Sequence, residues 1–221
     1  EKLETYDKAQ KTFLQNASHE FRTPLMSIQS YAEGIKYGVT DSIAAADIII
    51  DESRKLTQLV ENLLYLSRLD AIEENYNLTL LDFKDLISGC IERISSIASK
   101  NNIRIEQYVP IDKIQIRGDE EKLSRAITNV LSNCIRYAES KVFIRLETPK
   151  SGRVTLEISD DGPGFEEKEL PHVFDRFYKG AKGNFGLGLA ITKNVIEKHS
   201  GEVCAENKRD GAVFKIILPS M

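Results

Sequence analysis

Apolar residues in the first third of the chain recur at helical spacing. Leu14, Phe21, Ile28 and Ile35 repeat every seven residues, and Ala17, Leu25 and Ala32 widen them into a stripe that predicts a helix running to about residue 37. Gly38 supplies a stop signal, and Thr40 or Asp41 can cap the next helix. Over residues 42–69, Ile49, Leu56 and Leu63 repeat at seven with Leu59 and Leu66 on the adjoining row. Two antiparallel helices cannot close both stripes alone, so the pattern predicts a homodimer in which two hairpins form a four-helix bundle. A coiled-coil spacer would show the same heptads.

Past residue 70 the heptads stop. Residues 71–76, with Glu73, Glu74 and Asn75, read as a short linker, and from Asn77 the pattern alternates strands with helices. Strands are expected near 76–80, 103–108 and 113–116, and helices over 83–100, 120–138 and 187–199. Alternating Val142, Ile144 and Leu146, then Val154, Leu156 and Ile158, predict a strand pair turned by Lys150, Ser151 and Gly152. Strands near 202–206 and 212–218 close a mixed α/β layer. The fold class is therefore α+β: an antiparallel helical hairpin making a dimeric four-helix bundle, followed by an α/β sandwich. The boundaries are 1–70, with 1–10 continuing the first helix upstream, then 71–76 as a hinge, then 77–221.

Composition narrows the class. At 41% hydrophobic and 29% charged residues the chain is of ordinary globular type, and no apolar run approaches the roughly 18 residues needed to cross a bilayer. Starting at Glu1 without a secretory h-region, it reads as a piece of something longer, with no span and no direct membrane contact expected within the given residues. Net charge is −4, and the imbalance is not concentrated: residues 1–70 hold 8 Lys/Arg against 11 Asp/Glu, the remainder 22 against 23. A general nucleic-acid surface is excluded. Cys90, Cys134 and Cys204 are odd in number and widely spaced, and they read as reduced core residues.

The first candidate for chemistry is His19. It lies off the apolar stripe, about 160° around the helix from Phe21, with Glu20 as its neighbour and Thr23 one turn on. Pro24 removes the amide that would bond the Glu20 carbonyl, so a bend is expected beside His19. An ordinary amphipathic helix with a surface histidine would satisfy the same pattern. The run Ser18-His19-Glu20-Phe21-Arg22-Thr23-Pro24-Leu25, however, closely resembles the H-box of bacterial sensor histidine kinases.

Three further segments carry chemistry. On the helix over 120–138, Asn133 and Arg136 share a face; a neutral amide oxygen suits Mg²⁺ and a guanidinium suits phosphate. Asp160-Asp161-Gly162-Pro163-Gly164 follows a strand, where a carboxylate can accept from an adenine amino group and the glycines permit a tight turn. Gly183-Asn184-Phe185-Gly186-Leu187-Gly188 precedes a helix whose N-terminal amides can hold phosphate. Between them, Arg176, Lys179 and Lys182 can add positive charge over a triphosphate, while Val173, Phe174, Phe177 and Tyr178 anchor the segment. In this order, residues 119–191 resemble the N, G1, F and G2 boxes of the Bergerat ATP-binding domain shared by histidine kinases, gyrase and Hsp90.

Together the two resemblances cover nearly all of residues 11–218. They imply that His19 accepts the γ-phosphoryl group of ATP, that Glu20 takes the ring proton, and that Thr23 orients water in the reverse, phosphatase direction. They imply that Asn133 binds Mg²⁺, that Asn129 and Arg136 contact phosphate, that Tyr137 flanks the nucleotide and that Asp160 reads adenine. Gly162, Gly164, Gly186, Leu187 and Gly188 would shape the pocket. ATP and Mg²⁺ are the expected cofactors; a response regulator receiver domain and a second copy of the chain are the expected partners. Three departures stand out: Arg136 where lysine is usual, Asn184 and Phe185 where glycine and threonine often stand, and a segment from Lys179 to Phe185 that is short for an ATP lid.

Two rivals remain at this stage. An ATP-hydrolysing clamp of the gyrase or Hsp90 type would place a glutamate one turn before the metal-binding asparagine; this chain has Asn129 there, a poor base. A dimeric scaffold that binds nucleotide without turnover would have no need of the His19, Glu20 and Asn133 set. His172 and His199 receive no catalytic role; capping or surface roles suffice for both.

Overall fold

The computed structural model describes residues 2–69, 76–109, 113–150, 152–179, 185–208 and 211–221. The chain divides into two compact units, Glu1–Ile72 and Glu73–Met221.

The first unit is a hairpin of α1 (Lys2–Lys36) and α2 (Ser42–Leu69). Asp41 is the residue that caps α2, its Oδ1 accepting from Ala44 N at 2.7 Å. Helix α1 runs on through Pro24. The seam inside the hairpin is narrower than the stripes predict. Ala17 and Pro24 are buried on α1, and Ala45, Leu59 and Leu66 on α2, whereas Phe21, Ile49, Leu56 and Leu63 are only half-covered. Leu14 and Leu25, both predicted stripe residues, stay 59% and 52% exposed, and Ile43, Ile50, Val60 and Leu64 are exposed on α2. One helix can cover only one side of its neighbour, so a second apolar row is left outward.

The second unit is a sandwich of a five-stranded sheet and three helices. Its strands are β2 (Arg104–Tyr108), β4 (Lys141–Lys150), β5 (Arg153–Asp160), β6 (Glu202–Lys208) and β7 (Gly211–Pro219), in the order β2-β4-β5-β7-β6. Among the described residues only the β2–β4 pair is parallel. A separate antiparallel pair, β1 (Thr79–Asp82) with β3 (Gln115–Gly118), lies beside it. Both of these strands begin two or three residues later than the local pattern suggested, because their mutual ladder fixes where they pair.

Helices α3 (Phe83–Lys100), α4 (Glu120–Tyr137) and α5 (Gly188–Lys198) cover one sheet face. Asp82 caps α3 by accepting from Lys84 N at 3.1 Å, and Asp119 caps α4 by accepting from Lys122 N at 3.1 Å. The core is the period-two face of the sheet, Val142, Ile144, Leu146, Val154, Leu156 and Ile158, against the apolar faces of α4 (Ile127, Val130, Leu131) and α5 (Ile191, Val195). Each is essentially inaccessible, so truncating one to Ala costs about 2–5 kcal/mol.

One expectation is overturned and another is narrowed. Cys90 and Cys134 are buried, but Cys204 is exposed, since β6 is an edge strand with one face open. Of the two roles open to His199 the structure takes capping: it is the C-cap of α5, and it is buried, with contacts to Asp119 and Tyr76. Most of the linker, residues 71–75, and the turn residue Ser151 lie outside the described residues. Tyr76, assigned to the linker, has its ring edge-on to His199 at 5.3 Å.

Candidate active site

In the hairpin, His19 is exposed on α1, Glu20 is half-buried beside it and Thr23 is exposed one turn later. This follows from the helix period: with Ala17 and Pro24 turned inward, position 19 faces away. Pro24 leaves the Glu20 carbonyl without its usual amide.

In the sandwich, the candidate residues converge from four segments. Helix α4 buries Val130, Leu131 and Cys134, which leaves Asn129, Asn133, Arg136 and Tyr137 half-covered along its flank. Asn129 Nδ2 donates to the Gly188 carbonyl at 3.0 Å, joining α4 to the first residue of α5. The Thr192 hydroxyl lies 3.0 Å from that carbonyl and 3.1 Å from the Ala126 carbonyl, a second tie that the sequence does not signal. Helix α5 starts at Gly188 with no capping side chain, so its first amides are open to an anion. Burial lowers the Arg136 guanidinium pKa, and neighbouring Tyr137 acts against that fall.

Asp160 ends β5 and is buried. Its Oδ1 accepts from Gly162 N at 3.0 Å, while Oδ2 is buried with no hydrogen-bond partner. Burial pushes the Asp160 carboxyl pKa up; the nearby Gly162 and Ala212 amides and the Cys134 thiol act in the opposite direction. The Cys134 thiol is itself pushed well up, first by burial and then by Asp160, so it is an inert floor to the site. A buried carboxylate oxygen lacking a donor fits the exocyclic amine of adenine, which brings one.

Next to it, Asp161 accepts at Oδ1 from the amides of Glu139, Ser140 and Lys141, each at 3.0 Å, and at Oδ2 from the Ser140 hydroxyl at 2.5 Å. Desolvation raises its pKa, but these four hydrogen bonds hold it well below the usual carboxylate range. Sequence reasoning assigned Asp161 nothing, although it stands in the motif. Gly162 packs against the Tyr137 carbonyl, which brings the end of α4 up to the glycine turn.

Val173 is buried and Arg176 and Lys179 are exposed on the segment that leads toward α5. Phe174 and Phe165 both set their rings edge-on to Phe214, at 6.5 and 5.8 Å. His172 is exposed, its Nδ1 2.8 Å from Asp175 Oδ2. Phe177 N donates to the Gly186 carbonyl at 2.8 Å, which ties these two residues together. Phe185 and Leu187 are buried on either side of Gly186. Lys182, Gly183 and Asn184 lie outside the described residues.

For Mg²⁺ the donor set is sparse: no cluster of three or more His, Cys, Asp or Glu that could hold a metal occurs among the described residues. One amide oxygen, from Asn133, suits an ion that retains waters and takes its remaining ligands from phosphates.

One unit thus presents an outward histidine on a helical hairpin, and the other is an α/β sandwich with an uncapped helix N-terminus and a buried carboxylate oxygen that lacks a hydrogen-bond partner. Residues 9–72 match the His Kinase A (phospho-acceptor) domain, and residues 118–221 match the histidine kinase-, DNA gyrase B- and HSP90-like ATPase. The chain is 31% identical over 223 residues to sensor histidine kinase CssS of Bacillus subtilis, covering 99% of this chain and 49% of that protein. Among solved structures, a mycobacterial sensor histidine kinase, MprB, is 32% identical with a TM-score of 0.59, over 65% of this chain and 97% of that one. Histidine kinase ThkA, solved in complex with response regulator protein TrrA, shares the fold at 20% identity with a TM-score of 0.82, over 100% of this chain and 67% of that one. The chain belongs to the sensor histidine kinase family, and it spans about half the length of its curated relative CssS.

Proposed function

We propose that this chain is a protein-histidine kinase that phosphorylates its own His19 from ATP, passes the phosphoryl group to an aspartate of a response regulator, and also dephosphorylates that regulator. The observation that carries the proposal is the pairing of an exposed His19, flanked by Glu20, with a sandwich whose buried Asp160 Oδ2 lacks a donor. A ring nitrogen of His19 attacks the γ-phosphorus; an N–P bond forms, the O–P bond to ADP breaks, and Glu20 receives the proton from the other ring nitrogen. Asp160 orients the adenine, the open amides at the start of α5 and Arg136 bind phosphate oxygens, and Tyr137 flanks the nucleotide. Arg176 and Lys179 add charge above it, while Gly162, Gly164, Gly186, Leu187 and Gly188 shape the walls. Asn133 would hold Mg²⁺, which when bound screens charge on the phosphates. Thr23 positions water for the reverse reaction.

Residues 1–70 form the dimerisation and acceptor module and 77–221 the ATP-binding module, with 71–76 as the hinge. A homodimer covers the apolar residues left outward on the hairpin, among them Leu14, Leu25, Ile50 and Leu64. No helix among the described residues is long and apolar enough to cross a membrane, and we assign the chain to the cytoplasmic side of a membrane-anchored sensor. The complex of ThkA with TrrA supports the choice of a response regulator as partner. A water-activating clamp is disfavoured because Asn129, which stands where a base would be needed, donates its amide to Gly188.

Incubation with radiolabelled Mg·ATP tests the proposal. The wild-type chain acquires an acid-labile, alkali-stable phosphate and the His19→Gln variant does not; label on the variant would refute the acceptor assignment.

A further inference from the structure

Asn207 lies near the end of β6, exposed, 42 residues from Phe165, and the assignments above give it no role. Its side-chain amide nonetheless makes two hydrogen bonds to one residue of the glycine turn. Oδ1 accepts from Phe165 N at 2.9 Å, and Nδ2 donates to the Phe165 carbonyl at 2.7 Å. This doubles the backbone of Phe165 onto the side chain as if onto a neighbouring strand. Gly164, just before it, has φ +70°, and a Cβ there would come within 2.7 Å of Asn207 Oδ1, so the turn and the amide fit only because position 164 has no side chain.

The segment so gripped has no helix or strand of its own between Asp160 and the 3₁₀ turn Leu170–His172. Its near end is fixed by Asp161. Its far end is fixed by Asn207 and by the Phe165 ring on Phe214. At the same hairpin end Gly211 packs against the backbone of Asp160 and Gly162. The β6–β7 hairpin thus supports the glycine turn from outside, while Asp160 faces inward with its unpaired oxygen.

We propose that Asn207 is a positioning residue for nucleotide binding: its amide holds Gly164 and Phe165 so that the turn following Asp160 keeps the shape that receives the base. The inference rests on the nucleotide-binding role proposed above. Asn207 is placed outside the phosphate contacts and the acceptor hairpin, so its loss should weaken binding and spare the chemical step.

The experiment titrates Mg·ADP into the whole chain by calorimetry, and measures the autophosphorylation rate at saturating Mg·ATP alongside thermal unfolding of the nucleotide-free protein. For Asn207→Ala the expected result is a Kd for Mg·ADP raised about tenfold, with the saturated rate within about twofold of wild type. Asn207→Asp keeps the acceptor for Phe165 N but sets a second oxygen against the Phe165 carbonyl, so it should bind no better than the alanine variant. It also serves where the alanine variant does not fold. An unchanged Kd overturns the inference, as does a saturated rate that falls in step with thermal stability while Kd stays put. Failure of the wild-type chain to bind Mg·ADP would instead overturn the nucleotide-binding role itself, and this inference with it.

Discussion

The backbone N–H of Asp119 donates to Nε2 of His199 at 2.9 Å, joining the residue before α4 to the residue after α5 across 80 positions of sequence. Because Nε2 must accept, the ring proton sits on Nδ1, which donates to the Val195 carbonyl at 2.7 Å. Asp119 also accepts from Asn77 N at 3.0 Å, and Lys122 Nζ lies 4.7 Å above the Tyr76 ring that meets His199 edge-on. Tyr76 and Asn77, the first described residues of the second unit, are thus fastened to both helices that frame the candidate nucleotide site.

Protonation of His199 would remove the Nε2 acceptor. Burial lowers its pKa, the Val195 carbonyl and the Asp119 carboxylate act against that fall, and Lys122 adds to it. A depressed folded pKa means the unfolded chain binds the proton first. The stabilisation is therefore complete above the ordinary histidine value of about 6.5 and is lost as pH falls through the lower folded value. Thermal unfolding at about pH 7.5 and about pH 5.5 should show a drop in Tm for the wild-type chain and a smaller one for His199→Gln. Equal drops would remove His199 as the cause.

Asp161 supplies an acceptor to three amides and a hydroxyl, so its removal leaves the α4–β4 connection without an anchor. Asp161→Ala should destabilise the chain by about 1–2 kcal/mol, a figure kept low because the group is partly exposed. Asp161→Asn retains an Oδ1 for the amides and should lose much less. The depressed pKa gives the sign: the contribution is present above the ordinary Asp value of about 3.9 and disappears as pH falls toward the folded value. Chemical denaturation of the three proteins at neutral pH ranks them, and an alanine variant as stable as wild type would show that the amides find other partners.

Local chemistry made much of this fold legible and long-range contacts supplied what it missed. Helix α2 begins at Ser42 as predicted because Asp41 caps it, and α3 spans Phe83–Lys100 because its apolar residues recur at three and four. Within the sandwich site, Asp160, Asn129 and the residues around Gly186 were picked out by motif, and the structure adds which of them touch: Asn129 meets Gly188, and Gly162 meets Tyr137. Periodicity gave both rows of α2 without saying which of them the hairpin itself covers: Leu59 and Leu66 are buried within it, while Ile49, Leu56 and Leu63 stay half-covered. Asn207, Thr192 and the burial of His199 left no local trace: their partners lie 42, 66 and 80 residues away. An exposed Cys204 was likewise invisible, because only strand order tells an edge from a centre.

Asp160 sets function against stability. Its pKa is raised, chiefly by burial, so ionising it burdens the empty domain; that burden eases as pH falls through the folded value and is gone only below the ordinary Asp value of about 3.9. Asp160→Asn removes the buried charge and should raise the Tm of the nucleotide-free chain. The same change turns an acceptor into a donor where an adenine amino group would arrive, and should weaken Mg·ADP binding by about a hundredfold. Calorimetry and thermal unfolding on one preparation check both signs, and a variant that binds as wild type would show that Asp160 does not read the base.

Gly186 decides whether the backbone just before α5 can meet that of Phe177 and Tyr178. Its φ is +65°, a left-handed value, and Phe177, with φ +64°, donates its amide back to the Gly186 carbonyl. A Cβ at position 186 would collide with the Tyr178 carbonyl, which is backbone and cannot swing aside. Relief requires that Phe177 and Gly186 part, which moves buried Phe185 and Leu187 and shifts the open amides of α5 that follow at once. Gly186→Ala should therefore lower affinity for the triphosphate more than for adenosine alone, by about tenfold or more, while the hairpin and the far side of the sheet keep their stability. Calorimetric titration with Mg·ATP analogue and with adenosine separates the two; equal losses would place the damage at the base pocket instead of at the phosphates.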